Sequence, residues 1–284
     1  MSATPRLIPG LTYDEYDQLP GIRASTLKAY ARSARHGWHE ETRGTVETPA
    51  MRLGRAVHAA VLEPDAFRAA YTVAPKVDRR TKAGKAIWAA FQAEAEHQEI
   101  LTEAEMVRCL GIRDAVRGHP TAAQILEADG HAEVSAFGEV DGRPAKCRID
   151  WLCTLDGVTW IWDLKTTRDA RPETFGRQAA QYLYHLQAAW YLDVLDAIAP
   201  VDRAAGFVAV ESDPPHPVSV LEISPHEIEA GRQLYRKALR RLDAARDEGV
   251  RHGYAEGIHP LGMPDWALAD VEYSVEQQLE DYDL

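Results

Sequence analysis

Cysteine is scarce in this chain. Cys109, Cys147 and Cys153 are the only three in 284 residues, and no two stand in a C-x-x-C spacing. That excludes a disulfide framework and a cysteine-rich zinc ribbon; free, buried thiols fit a reducing cytosol, so the expected location is cytoplasmic. Long apolar runs are missing too. No window approaches the length that crosses a bilayer, so no membrane partner is expected. Met1 to Asp17 has no apolar h-region behind Arg6, and no secretory signal is expected there. Neither G-x-G-x-x-G nor G-x-x-x-x-G-K-[ST] occurs, which leaves a dinucleotide or nucleoside-triphosphate site without support. No Ser or Cys sits in a nucleophile elbow, and His36-Gly37-Trp38-His39 lacks a Cys or acidic partner at zinc spacing.

A basic surplus is absent as well: the formal net charge is -12. The deficit is unevenly spread. Residues 255–284 hold eight acids and no Lys or Arg, so removing them leaves -4 for the rest. We expect 255–284 to be an acidic, solvated C-terminal tail. Total charge therefore discriminates poorly against nucleic acid, because nucleases themselves need acidic metal sites.

What is present is a pair of carboxylates with a lysine. Arg148-Ile149-Asp150-Trp151-Leu152 and Trp160-Ile161-Trp162-Asp163-Leu164-Lys165 are rich in β-branched and aromatic residues, with Asp156-Gly157 between them, as in a β-hairpin. Alternation puts Asp163 and Lys165 on one face and Leu164 on the other. If the hairpin pairs in register, Asp150 approaches Asp163, giving two hard oxygen ligands suited to Mg²⁺ beside an ammonium. An isolated D-x-K is most often a solvated surface pair. Here Ile149, Trp151, Ile161 and Trp162 argue for buried strands, where adjacent carboxylates repel one another and need a reason to be there.

Along the chain, residues 12–45 read as a helical entry, with Ser25 as N-cap for 26–33. Further helices are expected at 51–62, 86–99, 103–117 and 121–128. Strands at 131–140, 145–154 and 158–166 follow, then one long helix at 172–199. Short strands at 205–211 and 218–223 precede a last helix, opened at Ser224-Pro225-His226-Glu227 and running to about residue 248. This order describes an α+β (mixed α/β) protein. Residues 1–254 make a single domain, mainly helical over 1–128 and αβ over 129–254.

Other groups surround the hairpin. Gly54 and His58 share a face of the 51–62 helix, where the glycine would allow a close backbone approach and the imidazole could be a ligand; a lone helical His is more often structural. Glu133 shares a strand face with Ser135 and Phe137, and reads either as an acidic ligand or supporting group, or as a solvated strand end. Tyr184, Gln187 and Tyr191 form one helical stripe. Such stripes usually pack a core, but the Gln must find hydrogen-bond partners, which a phosphate or a base would supply. Lys76, Arg79, Arg80, Lys82 and Lys85 are opposed only by Asp78; such a run is usually a solvated face, though a mobile basic loop can grip phosphates.

Together these pieces resemble the PD-(D/E)xK nuclease superfamily, and within it the exonuclease VIII (RecE) nuclease domain and RecB-type nucleases. The resemblance spans about residues 12–254. It is carried by Gly54-x-x-x-His58, Arg148-Ile149-Asp150, Asp163-Leu164-Lys165-Thr166-Thr167, Tyr184-His185-Leu186-Gln187 with Tyr191, the segment 78–85 and the entry 19–27. Ile149 stands where the superfamily's name has proline. The resemblance implies a restriction-endonuclease-like core: a central mixed sheet flanked by helices, with an N-terminal helical region. It implies that His58, Asp150, Asp163 and the Leu164 carbonyl hold Mg²⁺ or Mn²⁺, that Lys165 serves the attacking water or the developing phosphorane charge, and that Gln187 and Tyr191 position the strand being cut. It further implies a 5′→3′ exonuclease on linear duplex DNA in recombination or phage DNA metabolism. Duplex DNA with free ends, a single-strand annealing protein and a toroidal homo-tetramer are the partners it implies. An endonuclease or single-strand-preferring nuclease of the same fold is the alternative enzyme, and a non-cutting DNA-binding module the alternative outside enzymes.

Overall fold

The computed structural model describes residues 5–43 and 48–264. Strand β1 (Arg6–Ile8) is followed by α1 (Tyr13–Gln18), α2 (Ala24–Arg32), α3 (Ala34–Arg43), α4 (Pro49–Leu62) and α5 (Pro64–Ala70). An excursion then runs through β2 (Tyr71–Val73), α6 (Lys82–Glu94) and β3 (Glu99–Leu101), closed where β2 and β3 pair in parallel. Helices α7 (Glu103–Gly118) and α8 (Pro120–Glu127) lead into β4 (Asp129–Val140), β5 (Arg143–Leu155) and β6 (Val158–Thr167). The remaining elements are α9 (Pro172–Gln181), α10 (Tyr184–Asp196), β7 (Arg203–Glu211), β8 (Val218–Glu222) and α11 (Pro225–Asp247).

Local chemistry explains the boundaries nearest the site. Thr48 caps α4 by accepting from the Met51 N–H, with Pro49 at the first helical position. Asp156 and Gly157 both adopt positive φ, 51° and 79°, between Leu155 and Val158, which is the two-residue turn that matches strand twist. Ser224 and Glu227 close a reciprocal capping box on α11, as expected from sequence.

The main sheet has six strands in the order β1-β4-β5-β6-β7-β8. Every neighbouring pair is antiparallel except β6–β7, so the sheet is mixed, as the resemblance to PD-(D/E)xK nucleases implies. The β6–β7 connection passes through α9 and α10. One face of the sheet packs on α2, α10 and α11 through Leu27, Trp190, Tyr235 and Leu239. The opposite face packs on α4, α7 and α8 through Val57, Val61, Ile112 and Ile125. Helices thus flank a central sheet, as in the expected core. The three cysteines are buried and unpaired. Among the described residues no helix is long and apolar enough to cross a membrane.

Several local expectations are corrected. The long helix at 172–199 is two helices, because Leu183 takes a left-handed conformation (φ 53°, ψ 47°). Nothing in Gln181-Tyr182-Leu183-Tyr184 breaks a helix by propensity. The break coincides with aromatic packing of Phe175, Tyr184 and Phe207, which offsets a conformational cost of about 1–2 kcal/mol. Ser25 is inside α2 rather than its cap; Arg23 occupies that position without a side-chain cap. The helix expected at 86–99 starts at Lys82, capped by Thr81, and ends at Glu94, so Lys82 and Lys85 are helical. The chain divides into two compact units, Met1–Arg251 and His252–Leu284. Most of the expected acidic tail, residues 265–284, lies outside the described residues.

Candidate metal and phosphoryl-transfer site

A cleft of about 1020 Å³ opens between the α1–α2 segment and α4. His58, Glu133, Asp150, Lys28, Gln187 and Tyr191 are among the residues that line it. Gly54 lines it too, but a Cβ there would meet nothing within 4 Å. The close backbone approach expected of this glycine does not occur, because its face of α4 looks into the open cleft.

Strand β4 departs from simple alternation at Glu133. Its φ is 51°, and it drops out of the ladder between the pairs Ala132↔Trp151 and Val134↔Ile149. Across that gap the pleat changes phase: Ala132 and Trp151 pack with the α4 layer, whereas Ala136 and Ile149 pack with the α10 layer. Glu133 therefore does not simply continue the face of Ser135 and Phe137. The irregularity frees the opposed residues Glu133 and Asp150 from the ladder and brings both to His58.

The His58 Nδ1 lies 3.8 Å from Glu133 Oε1 and 3.6 Å from Asp150 Oδ2. One donor atom from each of the three residues falls within 4.8 Å of the others, the one such His/Cys/Asp/Glu group among the described residues. Arg148 donates to Glu133 Oε2 at 2.7 Å, and Leu164 N–H donates to Asp150 Oδ2 at 2.8 Å. Burial opposes protonation of His58, but Asp150 and Glu133 outweigh it and raise its pKa to about 9. Burial, then the Asp163 charge, push the Asp150 carboxyl up to about 7. Burial works against ionisation of Glu133 too, yet His58 and Arg148 hold it below the usual carboxylate range. Two half-buried carboxylates and an imidazole make a donor set of hard oxygens and one nitrogen that fits Mg²⁺ or Mn²⁺, and a cation there would relieve the carboxylate repulsion that adds to burial in raising Asp150.

Asp163 stands in a second, linked arrangement. Lys165 contacts its Oδ2, and the Gln187 Nε2 donates to its Oδ1 at 2.6 Å. Gln187 also approaches the Tyr191 hydroxyl at 3.4 Å. Burial opposes the Lys165 charge, but Asp163 and Asp150 raise its pKa, so it remains an ammonium. Its Nζ lies 5.1 Å from the centroid of Tyr184. Leu164 presents its side chain to the α4 layer, as alternation predicts. The sequence-named residues near the hairpin are thus gathered in one place, with His58, Glu133 and Asp150 clustered and Asp163 tied to Lys165 and Gln187.

The basic segment is elsewhere on the surface. Lys76, Arg79, Arg80, Lys82 and Lys85 are exposed and none lines the cleft. Lys76 is paired with Glu103, and the Arg79 guanidinium lies 4.4 Å from the Trp88 ring centroid. The excursion that carries them springs from β2, whose Tyr71 does line the cleft.

The sequence profile of the family described as "PDDEXK-like domain of unknown function (DUF3799)" matches residues 24–261. The chain belongs to this family. A crystal structure of a Eubacterium rectale protein called "Putative exonuclease" is similar over 91% of this chain and 97% of its own, with a TM-score of 0.59 at 12% identity. At that identity the likeness is one of fold. SSO0001 (13% identity, 78% and 86% covered, TM-score 0.29) and VC1899 from Vibrio cholerae (12%, 76% and 55%, TM-score 0.23) superpose too loosely to bear on the site. No curated protein matches.

In this PDDEXK-like domain the name-giving signatures read Ile149-Asp150 and Asp163-Leu164-Lys165, held side by side on β5 and β6. The sequence does not single out Lys28, and it names Arg148 only as part of the Arg148-Ile149-Asp150 motif, without its contact to Glu133. Lys28 donates to Gln187 Oε1 at 2.7 Å, and Arg148 clamps Glu133. A signal for Lys28 existed: it falls four residues after buried Ala24 and directly after buried Leu27, a charge set against an apolar helical stripe.

Proposed function

We propose that this domain is a metal-dependent deoxyribonuclease that hydrolyses phosphodiester bonds, acting as a 5′→3′ exonuclease on linear duplex DNA in recombination or phage DNA metabolism. The observation that carries the reading is the His58–Glu133–Asp150 cluster on the wall of a cleft, with the Asp163–Lys165 pair behind it. Family membership and the likeness to RecE- and RecB-type motifs support it. The name of the Eubacterium rectale neighbour agrees with exonuclease action.

In this reading His58, Glu133 and Asp150 would hold Mg²⁺, with Mn²⁺ able to replace it, and Asp163 and the Leu164 carbonyl would complete the set. A divalent cation supplies charge neutralisation at the scissile phosphate and a lowered pKa for water. The protein's own groups do the rest. Lys165 remains cationic and stabilises charge developing on the phosphorane. Arg148 orients Glu133 through its hydrogen bond to Oε2, and Gln187 holds the Asp163 carboxylate. Tyr191 and Gln187 face the cleft, where they would meet the strand being cut. The cationic excursion at 76–85 would hold phosphates outside the cleft. Residues 1–254 would form the nuclease domain, working as a homo-tetramer beside a single-strand annealing protein.

The test is cleavage of a linear duplex against a covalently closed circle of the same sequence, with Mg²⁺ or with EDTA. Mg²⁺-dependent loss of the linear form alone is expected. Cutting of the circle would make the enzyme an endonuclease, and binding without cutting would leave a DNA-binding module.

A further inference from the structure

We propose that Lys28 is a positioning residue for the reacting centre: it sets the orientation of the Gln187 amide and, through it, the placement of the Asp163 carboxylate. The proposal rests on the phosphodiesterase reading above and adds a residue that lies in neither of its signature motifs.

The argument is one of hydrogen-bond direction. In its protonated form, held below a lowered pKa of about 7, Lys28 can only donate, so the atom that its ammonium meets on Gln187 is the carbonyl oxygen. The observed contact is Nζ to Oε1 at 2.7 Å. A primary amide whose oxygen is held at one end must offer its NH₂ at the other. Gln187 Nε2 is accordingly directed at Asp163 Oδ1, at 2.6 Å. If the amide turned over, its oxygen would face a carboxylate oxygen and its NH₂ an ammonium, two repulsive contacts in place of two favourable ones. The Asp163 carboxylate is thereby gripped on both oxygens, by Gln187 on Oδ1 and by Lys165 on Oδ2. A ligand so oriented by its neighbours is what a metal or phosphate centre requires.

The tertiary setting agrees. Lys28 comes from α2, Gln187 from α10 and Asp163 from β6, so the chain of contacts ties the N-terminal helical region to the sheet. The Lys28 and Lys165 ammoniums both lie over the Tyr184 ring, at 4.9 Å and 5.1 Å from its centroid. Tyr184 starts α10 immediately after the left-handed Leu183, so the break between α9 and α10 accompanies this placement. A second cation beside Lys165 is unfavourable in itself: burial, and then Lys165, lower the Lys28 pKa to about 7. Holding it there needs a compensating role, and the hydrogen bond to Gln187 is the one the structure provides.

The test is a double-mutant cycle with Lys28→Met, Gln187→Met and the pair, read by single-turnover cleavage of a linear duplex and, separately, by Mn²⁺ affinity. Lys28→Met should lower the cleavage rate at saturating DNA about 10–100-fold, the range for residues that orient a metal ligand. It should leave KM for DNA and its salt dependence unchanged. In the Gln187→Met background it should cost nothing further, in rate or in Mn²⁺ affinity, because its route to Asp163 is gone. Lys28→Arg, which keeps a donor, should recover part of the loss. Additive losses, or a loss confined to KM with a flatter salt slope, would show that Lys28 contacts the phosphate directly and overturn the proposal. Unchanged rates in Lys28→Met would overturn it as well. If the wild-type protein cuts nothing, the nuclease reading fails by itself, and the Mn²⁺ cycle still decides the coupling.

Discussion

The Asp150 carboxylate accepts the Leu164 N–H at 2.8 Å, just beyond Trp151↔Trp162, where the β5–β6 ladder ends. One side chain therefore extends the hairpin's pairing and also faces His58. Asp150→Ala and Asp150→Asn should separate these roles. Both should abolish Mg²⁺-dependent cleavage. Only alanine leaves the Leu164 N–H without its partner, so its metal-free form should be about 1–3 kcal/mol less stable than the asparagine variant's. Thermal melts in EDTA check this, and equal melting points would show that the hydrogen bond contributes nothing.

His58 gives the metal-free protein a pH dependence with a defined sign. Its folded pKa is raised to about 9 from an ordinary 6.5, so its pairing with Asp150 and Glu133 stabilises the fold fully below pH 6.5. That contribution is lost as pH rises to 9. The melting temperature in EDTA should fall across this window, and His58→Asn should flatten the fall. Mn²⁺ should bind more tightly as pH rises over the same range, because the ligands must shed their protons. Calorimetry in buffers of different ionisation enthalpy measures the protons released.

Lys165→Met should slow the chemical step on the order of 10²–10³-fold, the size of a lost transition-state donor. Binding of duplex ends in Ca²⁺ should be nearly unchanged. Equal losses in binding and in rate would make Lys165 a phosphate clamp instead.

Arg148 joins Glu133 to the N-terminal segment, donating to Glu133 Oε2, Ser135 Oγ and the Leu11 carbonyl. Arg148→Met should weaken Mn²⁺ binding about 10–100-fold, since Glu133 loses the group that orients it. Isothermal titration shows whether affinity drops; an unchanged affinity would remove Glu133 from the ligand set.

Neutralising Arg80, Lys82 and Lys85 together should weaken duplex binding and flatten its salt dependence by roughly one slope unit per lost phosphate contact. Cleavage at saturating DNA should change little, because none of the three lines the cleft. An unchanged slope would show these exposed cations to be a solvated face.

Local rules carried much of the fold. The β5–β6 hairpin was legible because its turn, Asp156-Gly157, and its alternation act over neighbouring residues. The start of α11 was legible because a capping box is complete within four residues. The left-handed Leu183 was not, since it accompanies the packing of the next residue, Tyr184, on Phe207 of a distant strand. Strands β1, β2 and β3 were missed because each is three residues long and owes its pairing to a partner elsewhere in the chain.

By itself the sequence determined that Asp150, Asp163 and Lys165 would share one hairpin, since period-two alternation and a two-residue turn admit one register. It could not determine which acids meet His58. That depended on Glu133 leaving the ladder with a positive φ, a conformation no β-propensity favours and which Arg148 and His58 reward only once the strands and α4 are assembled. Nor could it place Lys28 beside Gln187, 159 residues away. A hydrogen bond across such a separation exists only after the core has brought α2 against α10, so tertiary packing, rather than any local preference, decided the site's final membership.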